Sequence, residues 1–148
     1  MSIEPLRVSV EVECSAAHAF DTWTQRTSLW WPKGHLVSGD PDATVVLEQR
    51  LGGRIFERTP AGQEIDWGEI TLWEPPQRLG YLWHIRRARA EATDVLISFV
   101  ALGTSTTRVD IVHSGWERLG AEGPRWRDAN LGGWNGLLAH FVAACGAQ

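Results

Sequence analysis

The chain has 148 residues, a formal net charge of −4, 43% apolar and 22% charged residues; these values fit a folded chain with its own core and exclude disorder or a collagen-like fibre. The mild acidity argues against a nucleic-acid partner, which needs a concentrated basic face. No uncharged run reaches the ~20 residues of a membrane helix, and no apolar run follows Met1, so neither membrane insertion nor a signal peptide is expected.

The first element in chain order is Leu6–Val12, where apolar residues alternate with polar or charged ones as in a half-buried strand. Ser15 stands where a helix N-cap would. Ala16, Ala19, Phe20 and Trp23 follow at helical spacing, which predicts a short amphipathic helix over 16–25. Thr27 or Ser28 can cap a second turn through Leu29, Trp30 and Trp31, stopped by Pro32. Residues 33–43, with Gly34, Gly39 and Pro41, read as a loop. Strands are then expected over 44–49 and 54–58, joined by Leu51-Gly52-Gly53, and over 64–73, ended by Pro75-Pro76. Three more follow at 78–86, 94–102 and 106–114, and all the short connections make neighbours antiparallel. In the tail, Leu131, Trp134, Leu138, Phe141 and Cys145 recur at three and four, so a helix is expected from about 124 to 145 with Pro124 in its first turn. Gly132-Gly133 inside it costs roughly 1 kcal/mol per glycine against alanine and predicts a kink or a close backbone approach.

This order predicts an α+β chain: one strand, two short helices, six strands and a long helix. A curved seven-stranded antiparallel sheet would wrap around the C-terminal helix. One domain over 1–148 is expected.

Chemistry-bearing motifs are scarce. Cys14 and Cys145 form no CxxC pair and no metal-ligand spacing, and they read as reduced thiols that pack as small apolar groups. A cytoplasmic setting with no metal and no cofactor is expected. Walker loop, GxGxxG, HExxH, GxSxG and SxxK signatures are absent. Lys33, beside a proline turn, shows no buried apolar surroundings that would lower its pKa. Arg86, Arg87 and Arg89 form the one basic cluster and read as a solvated turn.

His113 is the single weak catalytic candidate. Val109, Ile111 and His113 share the inward face of their strand by period two, so His113 ends an apolar face. It could meet a ligand or act as an acid or base near neutral pH; a histidine bonded to a backbone carbonyl at a strand end is the favoured alternative. Glu69 would join it only if the Trp67 face of 64–73 turns inward, and a solvated Glu69 is preferred. Tyr81 is a further candidate partner for His113. His84 has the opposite parity to Tyr81, Trp83 and Ile85 and is expected outside; His18 and His140 read as surface, and His35, in the loop after Pro32, could gate an entrance.

Nine tryptophans are the composition's main oddity. Large flat rings fill or line big interior spaces. A cavity between sheet and last helix would be lined by Trp83, Val95, Ile97, Phe99, Val109, Ile111 and His113 from the sheet. Trp134, Leu138 and Phe141 would line it from the helix, with Trp31 and Trp116 at the mouth. Each of these residues fits plain core packing equally well.

The order of elements carries recurring residue patterns: Ala19-Phe-Asp-Thr-Trp-Thr24, Trp30-Trp31-Pro32, Leu51-Gly-Gly-Arg-Ile-Phe56 and Gly68-Glu-Ile-Thr-Leu-Trp-Glu-Pro-Pro76. Arg78-Leu79, Trp83, the run from Thr107 to Gly115-Trp116, and Gly133-Trp134 with Leu137-Leu138 continue them. With these residues, from about 6 to 145, the chain resembles the activator of Hsp90 ATPase homologue family in its small bacterial, stand-alone form. That family lies within the START/birch-allergen-like (SRPBCC) superfamily of helix-grip folds. The resemblance implies a helix-grip domain that binds a hydrophobic or aromatic small molecule, with cyclase- or hydrolase-type catalysis at His113 or a co-chaperone-like interaction role as alternatives. The eukaryotic co-chaperones of the family carry an added N-terminal domain for chaperone contact; no counterpart is expected here, and a chaperone partner is not expected. A homodimer stays open.

Overall fold

The computed structural model describes residues 3–146. Its elements are β1 (Leu6–Val12), α1 (Ala16–Thr24), α2 (Thr27–Trp30), β2 (Thr44–Leu47), β3 (Arg54–Arg58), β4 (Glu64–Glu74), β5 (Arg78–Trp83), β6 (Thr93–Ala101), β7 (Thr107–Ser114) and α3 (Gly123–Gly146). Short 3-10 turns cover Lys33–His35, Arg89–Glu91 and Trp116–Glu122. The seven strands form one antiparallel sheet in the order β1-β7-β6-β5-β4-β3-β2. The long helix and the two short ones pack against its inner face, which is the helix-grip arrangement.

Local chemistry explains most of the boundaries. Ser15 caps α1, its hydroxyl accepting from the His18 N–H at 3.1 Å. α2 is not capped by Thr27 or Ser28: Thr27 Oγ1 donates back to the Trp23 carbonyl, and Ser28 Oγ accepts from the Val45 N–H at 3.1 Å. The Ser28 hydroxyl therefore ties α2 to β2 instead of closing its own helix. β2 stops at Leu47 because the Glu48 carboxylate turns the chain, accepting from the Arg54 N–H at 2.8 Å.

β4 follows neither of the simple alternating patterns. It bulges twice: Trp67 is the extra residue against β3, and Thr71 the extra residue against β5. Each bulge reverses the alternation. Ile65, Trp67, Ile70 and Trp73 consequently all belong to the core, although no single parity contains them. Glu69 is left outside, paired with Arg89 at 3.1 Å. Gly68 sits at the first bulge, where a Cβ would run into the Leu82 carbonyl, so the neighbouring backbone needs glycine there.

The expectation at Gly132-Gly133 is corrected. α3 runs unbroken through both, and a Cβ on either would meet no atom within 4 Å. No backbone approaches them; they leave room.

The grip is filled unevenly. α1 and α2 enter one half of it. Phe20 packs edge-on to Phe99 and to Trp73, each at 5.2 Å between ring centres. Trp23 meets Phe141 at 4.8 Å, and Trp30 meets Phe141 at 5.2 Å. Trp30 is fixed by its indole N–H, which donates to the Thr22 carbonyl at 2.8 Å. Ile97, Ile111, Val109 and Leu138 are all buried in this cluster. Cys14 and Cys145 are free, buried thiols, and burial pushes both above the ordinary thiol pKa.

Candidate ligand cavity

The other half of the grip is hollow. A cavity of about 900 Å³ lies between one end of β4–β7, the first half of α3, the segment that follows α2, and the loops that follow β5 and β7. Five indoles line it: Trp31, Trp83, Trp116, Trp126 and Trp134. On α3 the lining residues are Trp126, Asn130, Gly133, Trp134 and Leu137, a helical face at spacings of three and four. Gly133 sits in the middle of that face, and its missing side chain enlarges the space.

His113 organises the floor. It is fully buried, and both ring nitrogens are engaged. The Trp134 indole can only donate, so its Nε1–H, 3.0 Å away, requires a lone pair on His113 Nδ1. The proton therefore sits on Nε2, which donates to Thr93 Oγ1 at 2.6 Å; the Thr93 hydroxyl in turn donates to the Trp83 carbonyl at 3.3 Å. The His113 carbonyl accepts from the Trp116 indole N–H at 2.9 Å, and the Trp116 ring lies 4.2 Å from the imidazole. One histidine thus fixes Trp134 and Trp116 directly and reaches the Trp83 backbone through Thr93. Burial drives its pKa down to about 3, so the ring is neutral at physiological pH. With no free nitrogen, His113 is a positioning group rather than a ready general base.

The other nominated catalytic partners do not join it. Glu69 is outside, as described above. Tyr81 is buried but does not line the cavity, and burial raises its phenol above the ordinary value. His84 is the histidine that parity misplaced: it follows the last residue of β5, is buried, and lines the cavity. Its Nδ1–H donates to the Arg87 carbonyl at 3.3 Å, which leaves Nε2 as the uncommitted nitrogen. His35 also lines the cavity.

Of the ten ligand-contact candidates read from the sequence, Trp31, Trp83, His113, Trp116 and Trp134 line the cavity. Ile97, Phe99, Ile111, Leu138 and Phe141 do not; they are buried in the core, as are Val95 and Val109, with Phe99 and Phe141 packed against the aromatic rings of α1 and α2. Trp116 is not at the mouth, being 1% exposed against His113. Arg86 and Arg87 are not merely solvated: both line the cavity, and the Arg87 guanidinium lies 4.2 Å over the Trp126 ring while pairing with Glu91 at 3.0 Å. Sequence reasoning missed Thr93, Trp126, Asn130 and Gly133. Trp126 and Asn130 share the α3 stripe with Trp134, a signal that was present but interrupted by the glycines.

Opposite α3 the wall is loop. Glu57, fully buried at the end of β3, accepts from the Val37 N–H at 2.7 Å and the Ser38 N–H at 3.0 Å, pinning the segment that carries Trp31, His35 and Val37. Arg86 reaches the same segment, donating to the Leu36 carbonyl at 3.1 Å.

Residues 13–146 match the family described as activator of Hsp90 ATPase homolog 1-like protein. The chain belongs to this family. Among solved structures, an anthrahydroquino-gamma-pyrone synthase, Txn09, complexed with SUM, is 31% identical, with 97% of each chain covered and a TM-score of 0.68. The self-sacrificing resistance protein CalC of Micromonospora echinospora is 27% identical, covering 95% of this chain and 92% of its own, with a TM-score of 0.69. A Bacillus halodurans protein at 18% identity shares the fold, with a TM-score of 0.68 over 98% of this chain and 99% of its own. A search among curated proteins finds no match. The activator of Hsp90 ATPase homologue family thus contributes the helix-grip frame. Among the described residues no helix is long and apolar enough to cross a membrane, and no cluster of three or more histidine, cysteine or acidic residues could hold a metal ion.

Proposed function

We propose that this chain binds a flat, hydrophobic, aromatic small molecule in the cavity between sheet and α3. One observation carries the reading: five indoles converge on about 900 Å³ of space, and two of them, Trp134 and Trp116, are fixed by hydrogen bonds to His113. That volume suits a drug-sized ligand in a largely preformed site. Fixed indoles lose little freedom on binding, which removes one of the costs of association. A ring system the size of an indole, burying ~200 Å² at ~25 cal/mol per Å², would gain roughly 5 kcal/mol before association costs. Trp31, Trp83, Trp116, Trp126 and Trp134 would stack on the ligand, and Ile97, Phe99, Ile111, Leu138 and Phe141 would support the wall from behind. The 31% identity to an enzyme named for a polycyclic aromatic product supports the same ligand class.

That identity also favours a second reading, in which the bound molecule is converted. The acid–base group would then be His84 through Nε2, since both nitrogens of His113 are occupied. Intrinsic tryptophan fluorescence titrated with anthraquinone tests the binding reading. Saturable quenching at one ligand per chain is expected; a flat response would refute it. Chromatography of the recovered ligand separates the two readings: an unchanged compound means binding alone.

A further inference from the structure

Resting on the cavity as a ligand site, we propose that its ligand is an aromatic acid, with the ring system among the indoles and an oxyanion at the rim against Arg86.

Four charged side chains line the cavity: Asp66, Arg86, Arg87 and Glu91. Three are already matched. Asp66 is held by Arg54 at 2.6 Å, and Arg87 and Glu91 hold each other at 3.0 Å. Arg86 has only a neutral acceptor, the Leu36 carbonyl, and no carboxylate among the described residues lies within ion-pairing distance of it. The rim therefore carries one unmatched positive charge beside a low-dielectric aromatic space, where an anion gains more than it would in open water.

The backbone of Arg86 adds a second observation. Its φ of 63° makes it the one non-glycine residue with positive φ among those described. An ordinary side chain there costs on the order of 1 kcal/mol, and such outliers gather at ligand clamps. The conformation is kept by the Arg87 N–H donating to the His84 carbonyl at 2.8 Å, in the turn that presents both arginines to the cavity.

The third observation is the Trp31 ring, which shares the rim with Arg86. The Arg86 contact at Leu36 is next in sequence to His35, whose ring lies edge-on to Trp31 at 6.4 Å. An aromatic acid can lay its rings beside that indole while its carboxylate, with a charge and two acceptor oxygens, meets the guanidinium.

Three probes of one shape make the test: anthraquinone-2-carboxylate, its carboxamide and unsubstituted anthraquinone, titrated into the whole chain by calorimetry or indole fluorescence. The carboxylate is expected to bind about tenfold or more tightly than the carboxamide, as a charge-assisted hydrogen bond implies, and to weaken as salt is raised. Arg86→Gln should bring the two within about twofold, the carboxylate losing most of its affinity. Equal affinities in the unmodified chain, or a preference that survives Arg86→Gln, would overturn the inference while the aromatic-cavity reading stands. Failure of all three probes to bind overturns both.

Discussion

Replacing His113 by glutamine should remove a defined part of the protein's sensitivity to acid. The structure holds His113 neutral, with a pKa near 3 against 6.5 for the free side chain, because burial penalises its charged form. The folded-state value is the depressed one. Below pH 6.5 the unfolded chain takes up a proton that the folded chain refuses, so stability is complete above pH 6.5 and falls as pH drops from there toward 3. At pH 5 the unfolded chain has gained about 1.5 pH units of binding at 1.36 kcal/mol each, so wild type loses about 2 kcal/mol from this group between pH 7 and pH 5. Glutamine retains a donor and an acceptor but does not titrate. His113→Gln should cost about 1–3 kcal/mol at pH 7, because Trp134 or Thr93 is left imperfectly paired. Its urea midpoint, however, should fall less than wild type's on going to pH 5. Parallel losses in the two proteins would show that His113 is not held neutral and that the hydrogen-bond hub is wrongly assigned.

Three further outcomes follow from the same packing. Gly133→Leu should abolish uptake of an aromatic ligand by filling open space on the α3 face, whereas Gly132→Ala, off that face, should raise stability by about 1 kcal/mol and leave binding unchanged; fluorescence titration and urea unfolding report both. Glu57→Gln should speed amide exchange at Val37 and Ser38 and cost about 1–3 kcal/mol, since a buried N–H loses its carboxylate oxygen. Phe141→Ala should cost about 3–5 kcal/mol in unfolding experiments through the void left among Trp23 and Trp30, while direct ligand contacts stay intact.

The frame of the molecule was readable from alternation and helical spacing. Leu6–Val12, Arg54–Arg58 and the 3–4 stripe of α3 gave their elements to within a residue or two. Parity arguments worked where strands are regular, as for Val109, Ile111 and His113, which are all buried on β7. They failed on β4, because the bulges at Trp67 and Thr71 reverse the face twice, and Gly68 marks only the first of them. They failed for His84 because β5 ends one residue earlier, and a side chain beyond a strand is not bound by its alternation.

The cavity wall was half legible for a different reason. Phe99, Ile111 and His113 have the same composition and parity whether they face a void or a neighbour. The choice is made by α1, which drives Phe20 and Trp23 into one half of the grip and leaves the His113 half open. That is a tertiary decision. Gly132-Gly133 illustrates the same limit: two glycines in a helix mark either tight contact or deliberate space, and only the surroundings distinguish them.

The central claim is that the hollow beside His113, and no other part of the core, receives the ligand. Side-chain indole N–H resonances of the labelled protein, followed as anthraquinone or its carboxylate is added, test it most directly. The signals of Trp31, Trp83, Trp116, Trp126 and Trp134 should move together and saturate, while those of Trp23 and Trp30, sealed against Phe141, should stay in place. Movement of Trp23 and Trp30 without the cavity five, or no movement at saturating ligand, would contradict the account.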